Sequence, residues 1–489
     1  MKTQEMQNNR LKLMFINYPC NHDANSVPLL SFGYLGTVSK NMGVDVHIID
    51  ANFYLKPYSA DNILDSVKAA KPHLIGMTLF TQTVMYGYDL LKILKENYPQ
   101  ALYVSGGPHA TILPEENLRF GFNIACRGEG ERTIADLIRH LKGDLGLSGI
   151  RGITYYNDLN KAVSNPDVEQ EEDLDKLPIV DYGLFDPVYF SEKNLSSEFA
   201  IFTSRGCPSK CTFCNSYGVF GDKYRYRSSE NILFEIELLY KKYGVRNISF
   251  ADDYFTLNRK RLFEVCEGLI KKDIKIKWQA YSKAGGVPKE LFGLLKRAGC
   301  VNIAYGIENV YPKTLELINK KTPVKLIIQT YKNTNDSGID FKTNIMAGFP
   351  WETKESVKTN IDFILKHKRN GSLARFNLPL LYPIPMTKLY NDNVENFPKI
   401  KETWLNRDIM KDLSSNESYF KVNLFGLSNK VINEIKFMAY IIFGLQPLKQ
   451  VKFWKRVMIY PFKRIVYSYY FMKIFYKLYG YKIDFQGKV

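Results

Sequence analysis

Ser204-Arg205-Gly206-Cys207-Pro208-Ser209-Lys210-Cys211-Thr212-Phe213-Cys214-Asn215-Ser216 is the stretch on which the reading of this chain turns. Its three cysteines follow the spacing C-x3-C-x2-C, directly behind FAIFTS (199–204), an apolar run of strand length. The loop is polar and carries Gly and Pro, which argues against thiols spent on core packing. Three thiolates in one short loop can hold three corners of an iron–sulfur cube and leave the fourth iron open to another ligand. A structural zinc site asks for four ligands in paired spacings, and no nearby Cys or His supplies the fourth.

FAIFTS is the first of six candidate strands. The others are RNISFA (246–251), IKWQAY (276–281), VNIAYG (301–306), FKTNIMAG (341–348) and LARFNL (373–378), with helical patterns at 229–243, 258–271, 289–298, 324–337 and 354–367. Six strand–helix units are too few for a full eight-fold barrel. They suit a partial (β/α)6 barrel, open on one side, with its chemistry at the carboxyl ends of the strands. Upstream, LKLMFIN (11–17), VDVHIID (44–50), HLIGMTL (73–79), ALYVSGG (101–107) and NIACRG (123–128) alternate with helical stretches such as 59–70 and 84–97. That pattern predicts an α/β, doubly wound, flavodoxin-like domain whose ligand sits outside the strand ends. The acidic, proline-containing NPDVEQEEDLDKLPIVDYGLFDP (165–187) reads as a linker. The expected division is therefore a doubly wound domain at 1–145, a linker at 146–195, a barrel at 196–385 and a mainly helical region at 386–489.

With Phe213 as the aromatic, the cysteine loop resembles the radical S-adenosylmethionine (SAM) superfamily, whose signature is C-x3-C-x-aromatic-C after the first barrel strand. The resemblance covers roughly 195–380. It implies a [4Fe–4S] cluster on Cys207, Cys211 and Cys214, with SAM chelating the open iron. The reduced cluster then cleaves SAM to methionine and a 5′-deoxyadenosyl radical. The same resemblance implies SAM contacts from Phe213, from Asp252 and Asp253 after the second strand, and from Gln279 and Lys283 at the third. Glu308 at the fourth and Gly348 at the fifth complete that set. Gly348 opens GFPWET (348–353), where Trp351 replaces the glycine usual in the family.

The first domain resembles the cobalamin (B12)-binding domains of one branch of that superfamily. The resemblance rests on the proline-led PLLSFGYL (28–35), Asp50, Thr78 and Thr81, SGGPHAT (105–111) with Gly106, Gly107 and His109, and RGEGE (127–131) with Gly128 and Glu129. These residues are the cobalamin contacts that it implies. Asp45-Val46-His47-Ile48-Ile49-Asp50 lacks the glycine of the D-x-H-x-x-G motif that brings histidine to cobalt, and His47 falls inside a strand pattern. His22 lies in the right loop but in the wrong motif. Cobalamin is therefore expected without a protein histidine on the metal. Together the two resemblances imply a cobalamin-dependent radical SAM methyltransferase. One SAM would methylate cob(I)alamin, and a second would give the radical that activates a carbon, or less often phosphorus. Two alternatives stand beside it: an oxidoreductase, cyclase or rearrangement enzyme with the same cofactors, and an RNA-binding or RNA-modifying radical SAM protein.

The chain has 489 residues, with 67 Lys and Arg against 50 Asp and Glu, a net charge of +17. The excess suits an anionic surface or polyanionic partner, or a solvated basic face. No recognisable RNA-binding module accompanies it, so nucleic acid is not the expected partner. Within 447–489, Lys and Arg alternate with Tyr, Phe and Trp, a pattern that fits a helical cap or an anionic membrane interface, and less well nucleic acid. A small-molecule or lipid-like substrate and an external flavodoxin- or ferredoxin-type electron donor complete the expectation. Seven cysteines, three in one loop and the rest scattered, no signal-peptide pattern and no apolar run of membrane length point to the cytoplasm, with membrane-surface association through the tail.

Overall fold

A computed structural model describes residues 10–20, 28–53, 55–191, 193, 199–368, 372–414 and 423–443. His22 and the basic aromatic tail lie outside the described residues. The first sheet contains β1 (Lys12–Asn17), β2 (Asp45–Asp50), β3 (Leu74–Thr78), β4 (Leu102–Gly106) and β5 (Ile124–Cys126), all parallel, in the order β2-β1-β3-β4-β5. β3 is buried along its whole length, which explains its unbroken apolar run. In this order the chain reverses direction across the sheet between β1 and β3, so a crevice opens at their carboxyl ends.

β6 (Ile153–Tyr156) and β7 (Ala162–Ser164) add to this sheet in antiparallel fashion, through β5. Both fall in the stretch expected to be a linker. The β-prone ITYY turns back through Asn157-Asp158-Leu159-Asn160, with Asn160 in the left-handed region at φ 53°. The acidic residues that follow are ion-pair partners for the first domain. Asp181 meets Lys40 and Asp186 meets Lys56, each at 2.5 Å.

The second sheet is the partial barrel. It contains β8 (Phe199–Ile201), and beside it β9 (Ser204–Arg205) and β10 (Arg225–Tyr226) pair antiparallel on either side of the cysteine loop. β11 (Asn247–Phe250), β12 (Lys277–Ser282), β13 (Cys300–Glu308), β14 (Asp340–Ile345) and β15 (Ala374–Asn377) continue it in the parallel order β8-β11-β12-β13-β14-β15. Side chains alternate along each strand. Phe341 and Phe376 point outward to Tyr331 of the Val324–Ser337 helix, with ring centroids 4.9 and 6.1 Å away. Asp340, Lys342, Asn344, Arg375 and Asn377 therefore face the barrel interior.

One apolar core runs continuously from the first domain into the barrel. A second lies on the other face of the first sheet and takes in Trp404 and Met410 from the C-terminal region. Among the described residues, no helix is long and apolar enough to cross a membrane.

Candidate active site

The cysteine loop leaves the barrel through a turn that only glycine tolerates. Gly206 has φ +84°, and a Cβ there would lie 2.2 Å from the Lys223 carbonyl oxygen. The loop is pinned where Thr212 N–H donates to the Ile318 carbonyl (3.1 Å), and Lys210 adopts a left-handed φ of 48°. The Cys207 thiol donates to Ser209 Oγ (3.3 Å), which also accepts from Lys283 Nζ (3.0 Å). Phe213 packs against the core. Burial raises the Cys211 and Cys214 thiols, Cys214 to about 11, while Lys320 and Lys283 pull Cys211 back toward thiolate. Among the described residues, no three His, Cys, Asp or Glu side chains converge on a single-ion site. A cube does not ask for such convergence, because each thiolate binds its own iron. Three soft thiol donors beside two lysines suit an anionic iron–sulfur cluster.

The strand ends around this loop differ in how free they are. Asp252 is tied into the protein: it accepts from Thr203 N–H (2.6 Å), Thr203 Oγ1 and Ser204 Oγ (2.6 Å), and Arg261 lies 3.4 Å away. Asp253 accepts from Ser216 Oγ and borders the open space above the barrel, and burial raises its carboxyl. Glu308 ends β13 at φ 68°, a rare conformation for a side-chain-bearing residue, with its carboxylate 3.4 Å from Lys320 Nζ. Its pKa is raised by burial. Lys283 is pushed down by burial and by the neighbouring Lys320. Gln279 lies third in β12, lower than the strand end, and accepts from Asn302 Nδ2 at 3.0 Å. Gly348 adopts φ +91°, and its N–H donates to Glu352 at 2.5 Å. Trp351 stacks on Phe349 at 5.3 Å and donates to Thr314 Oγ1 at 3.3 Å, so the residue that replaces the usual glycine packs on the barrel's own helix.

A cavity of about 450 Å³ lies between the two domains, in the size range of cofactor pockets. Phe15, Phe32, Met77, Phe80, Val104 and Ile134 make its lining mainly apolar. Thr78, Gly106, Gly107, Gly128 and Glu129 border it on the first-domain side, with Ala251 and Asp253 on the barrel side. A Cβ on Gly106 would meet nothing within 4 Å, whereas one on Gly107 (φ +90°) would lie 2.6 Å from Thr78 Oγ1. The backbone at this turn thus presents a bare surface on which a large flat ligand can lie close. His47 sits within β2, 3.5 Å from Asp45.

Three of the residues expected to contact cobalamin are placed elsewhere. Asp50 accepts from Asn17 Nδ2 and from Tyr189 OH, both at 2.8 Å. His109 is fully buried, with Nδ1 3.2 Å from Thr81 Oγ1 and Nε2 2.9 Å from Glu116. Trp404 Nε1 donates to both oxygens of that carboxylate, at 3.2 and 3.0 Å. Burial pushes the Glu116 carboxyl up, but His109, Trp404 and Tyr88 outweigh it and hold the group below its usual range. His109 and Thr81 thus staple the C-terminal region to the first domain.

Glu129 has a second job. It accepts from Arg205 Nη1 (2.8 Å) and Arg225 Nη1 (3.2 Å) and also pairs with Arg225 Nη2, while Glu131 meets Arg205 Nη2 at 2.5 Å. The four charges join the RGEGE turn to β9 and β10 and fix the cavity wall to the cysteine loop. The sequence signal for this clamp was complementary charge, two glutamates spaced i,i+2 and arginines on both sides of the cysteines. Nothing in a linear reading pairs them.

The Radical SAM superfamily model matches residues 201–364, and the B12 binding domain model matches residues 23–138. The chain belongs to the B12-binding radical SAM family. This B12-binding radical SAM chain is 29% identical over 427 residues to an uncharacterised methyltransferase of Pyrococcus horikoshii, covering 87% of this chain and 89% of the relative. It is 27% identical over 364 residues to the anaerobic magnesium-protoporphyrin IX monomethyl ester cyclase of Rubrivivax gelatinosus, covering 72% of this chain and 64% of that relative. Its fold is similar to that of the cobalamin-dependent SAM radical enzyme OxsB, solved with aqua-cobalamin and SAM. The TM-score is 0.70 at 17% identity, over 97% of this chain and 76% of that one.

Proposed function

We propose that this chain is a cobalamin-dependent radical SAM methyltransferase acting on an unactivated carbon, or on phosphorus, of a small molecule. The observation that carries the reading is the shared cavity. The bare glycine turn of the B12-binding domain and the carboxyl ends of β8 and β11, beside the cysteine loop, border one apolar space. When bound, the cluster and SAM supply the 5′-deoxyadenosyl radical and cobalamin carries the methyl group. Cys207, Cys211 and Cys214 would hold the cluster, and Lys283 and Lys320 offset its negative charge. Asp253 and Glu308 would meet polar groups of SAM, and Thr78 and the backbone at 106, 107 and 128 would receive the corrin. Apolar walls exclude water, which would otherwise quench reactive species. The clamp of Glu129, Glu131, Arg205 and Arg225 keeps the two cofactor sites in register. A low-potential flavodoxin or ferredoxin would deliver electrons, in a cytoplasm that keeps the thiols reduced.

The named methyltransferase and cyclase relatives support two outcomes for one cofactor set. Product mass separates them: methyl transfer adds one methylene, and cyclisation does not. The founding test is anaerobic reconstitution with iron, sulfide and hydroxocobalamin. About four irons and one cobalt per chain are expected, with iron lost in the Cys207→Ala/Cys211→Ala/Cys214→Ala variant. Iron without cobalt would remove the methyl carrier and the proposal with it.

A further inference from the structure

The inner wall of the barrel is polar layer by layer. The register of β11 to β14 sets Ser249, Gln279, Asn302 and Asp340 side by side, and the next layer holds Tyr281, Ala304, Lys342 and Arg375. Gly306, Asn344 and Asn377 lie above. Strand neighbours stand about 5 Å apart, so each layer is one contiguous surface. Most of these groups are engaged with one another: Gln279 with Asn302, Asn377 with Asn344 at 3.2 Å, and Arg375 with Asp340 at 2.8 Å. At the barrel mouth, Lys283 is held by Ser209 and Lys320 by Glu308.

Lys342 is the exception among the charged groups. It is half-buried at mid-height and has no carboxylate or hydrogen-bond partner among the described residues. Its neighbour across the strands is the small Ala304, with Tyr281 next in the same layer. A partly buried lysine on a polar wall, with no carboxylate of its own, is a ready partner for an anion. A neutral lipid skeleton would bury itself against these amides and cations without satisfying them.

We propose that Lys342 seats an oxyanion of the substrate, with Arg375, Asn344 and Asn377 around it. The substrate is then an acidic small molecule, a carboxylate or a phosphate ester, and not a neutral lipid. This rests on the methyltransferase reading and adds to it that the substrate reaches into the barrel.

The test is calorimetric titration of the SAM-loaded holoenzyme with inorganic phosphate and with malonate as probes. The native protein is expected to bind one or both in the millimolar range or tighter. Lys342→Met should weaken that binding about tenfold or more, the worth of one charge-assisted hydrogen bond, and Lys342→Arg should retain most of it. Lys332→Ala, which removes an exposed lysine paired with Asp336 on the outer helix, should leave it unchanged. Tighter phosphate binding identifies a phosphate ester and tighter malonate binding a carboxylate, and either result supports the proposal. No binding of either probe to the native protein, or equal binding by Lys342→Met, overturns it. Iron and cobalt counts on the same samples report separately on the methyltransferase reading. Full cofactor loading with no anion effect sinks only the present inference, and missing cobalt sinks only the earlier one.

Discussion

Replacing Glu129 by Gln keeps the shape of the domain clamp and removes the charge at its centre. The side chains of Glu129, Arg205 and Arg225 are 6%, 8% and 1% exposed, so water cannot stand in for the lost partner. Breaking a buried ion pair from one side costs about 3–5 kcal/mol, because the orphaned charge stays buried. Arg205 keeps Glu131. Arg225 falls back on the Glu171 and Phe220 carbonyls, at 2.8 and 3.4 Å, and bears most of the loss. The lower end of the range, about 3 kcal/mol, is therefore expected. For a chain of this size that is a Tm drop of roughly 3–5 °C, readable by circular dichroism, together with weaker retention of cobalamin on gel filtration. Adding Arg225→Met to Glu129→Gln should cost less than the two single losses combined. A Glu129→Gln protein within about 0.5 kcal/mol of the native one, holding cobalamin as well, would show that the clamp does not set the domain geometry.

Acid should act on the same clamp through Glu131. Burial alone would raise this carboxyl, but Arg205 outweighs it and holds the group below its usual value. A depressed folded pKa contributes stability above the unfolded value of about 4.3 and loses it as pH falls through the folded one. Glu352 runs the other way. Its Oε1 is buried without a partner, and burial pushes its carboxyl up to about 7. Its contribution is whole below about pH 4.3 and is lost as pH rises toward 7, so Glu352→Gln should unfold at higher temperature than the native chain at pH 8 and equally at pH 4. A native-like pH profile in that variant would refute the assignment. Gly206→Ala should cost at least about 1–2 kcal/mol for the left-handed conformation alone, before the clash with Lys223. Iron per chain after reconstitution is expected to collapse, and full iron content would show that the turn is more pliable than its geometry implies.

All eleven strands expected from the sequence are present, each within three residues of its expected ends, because short apolar runs between helical patterns leave little choice of period. The cysteine triad was equally legible, since its chemistry is local. Long-range pairing was not. Glu129 looked like a corrin contact because its motif ends a strand, and only the fold shows Arg205 and Arg225 closing on it. His109 carries the same lesson: its partners Thr81, Glu116 and Trp404 come from three separate stretches of chain. The linker hid β6 and β7 because two short strands on a sheet edge carry too few residues to show alternation. The inner-wall lysine at 342 sits in an ordinary alternating strand and becomes noticeable only when its neighbours are seen to be paired.

The hydrogen bond from Trp404 to Glu116 spans 288 residues. During synthesis at about 5–20 residues per second, roughly 15–60 s separate the appearance of the carboxylate from that of its donor. For that interval the nascent first domain carries an unfinished polar pocket on one face of its sheet. It can take up its strand order early, but its final rigidity waits for the barrel to be made. A ribosome stalled before residue 404 would therefore expose a domain that is shaped correctly and not yet sealed.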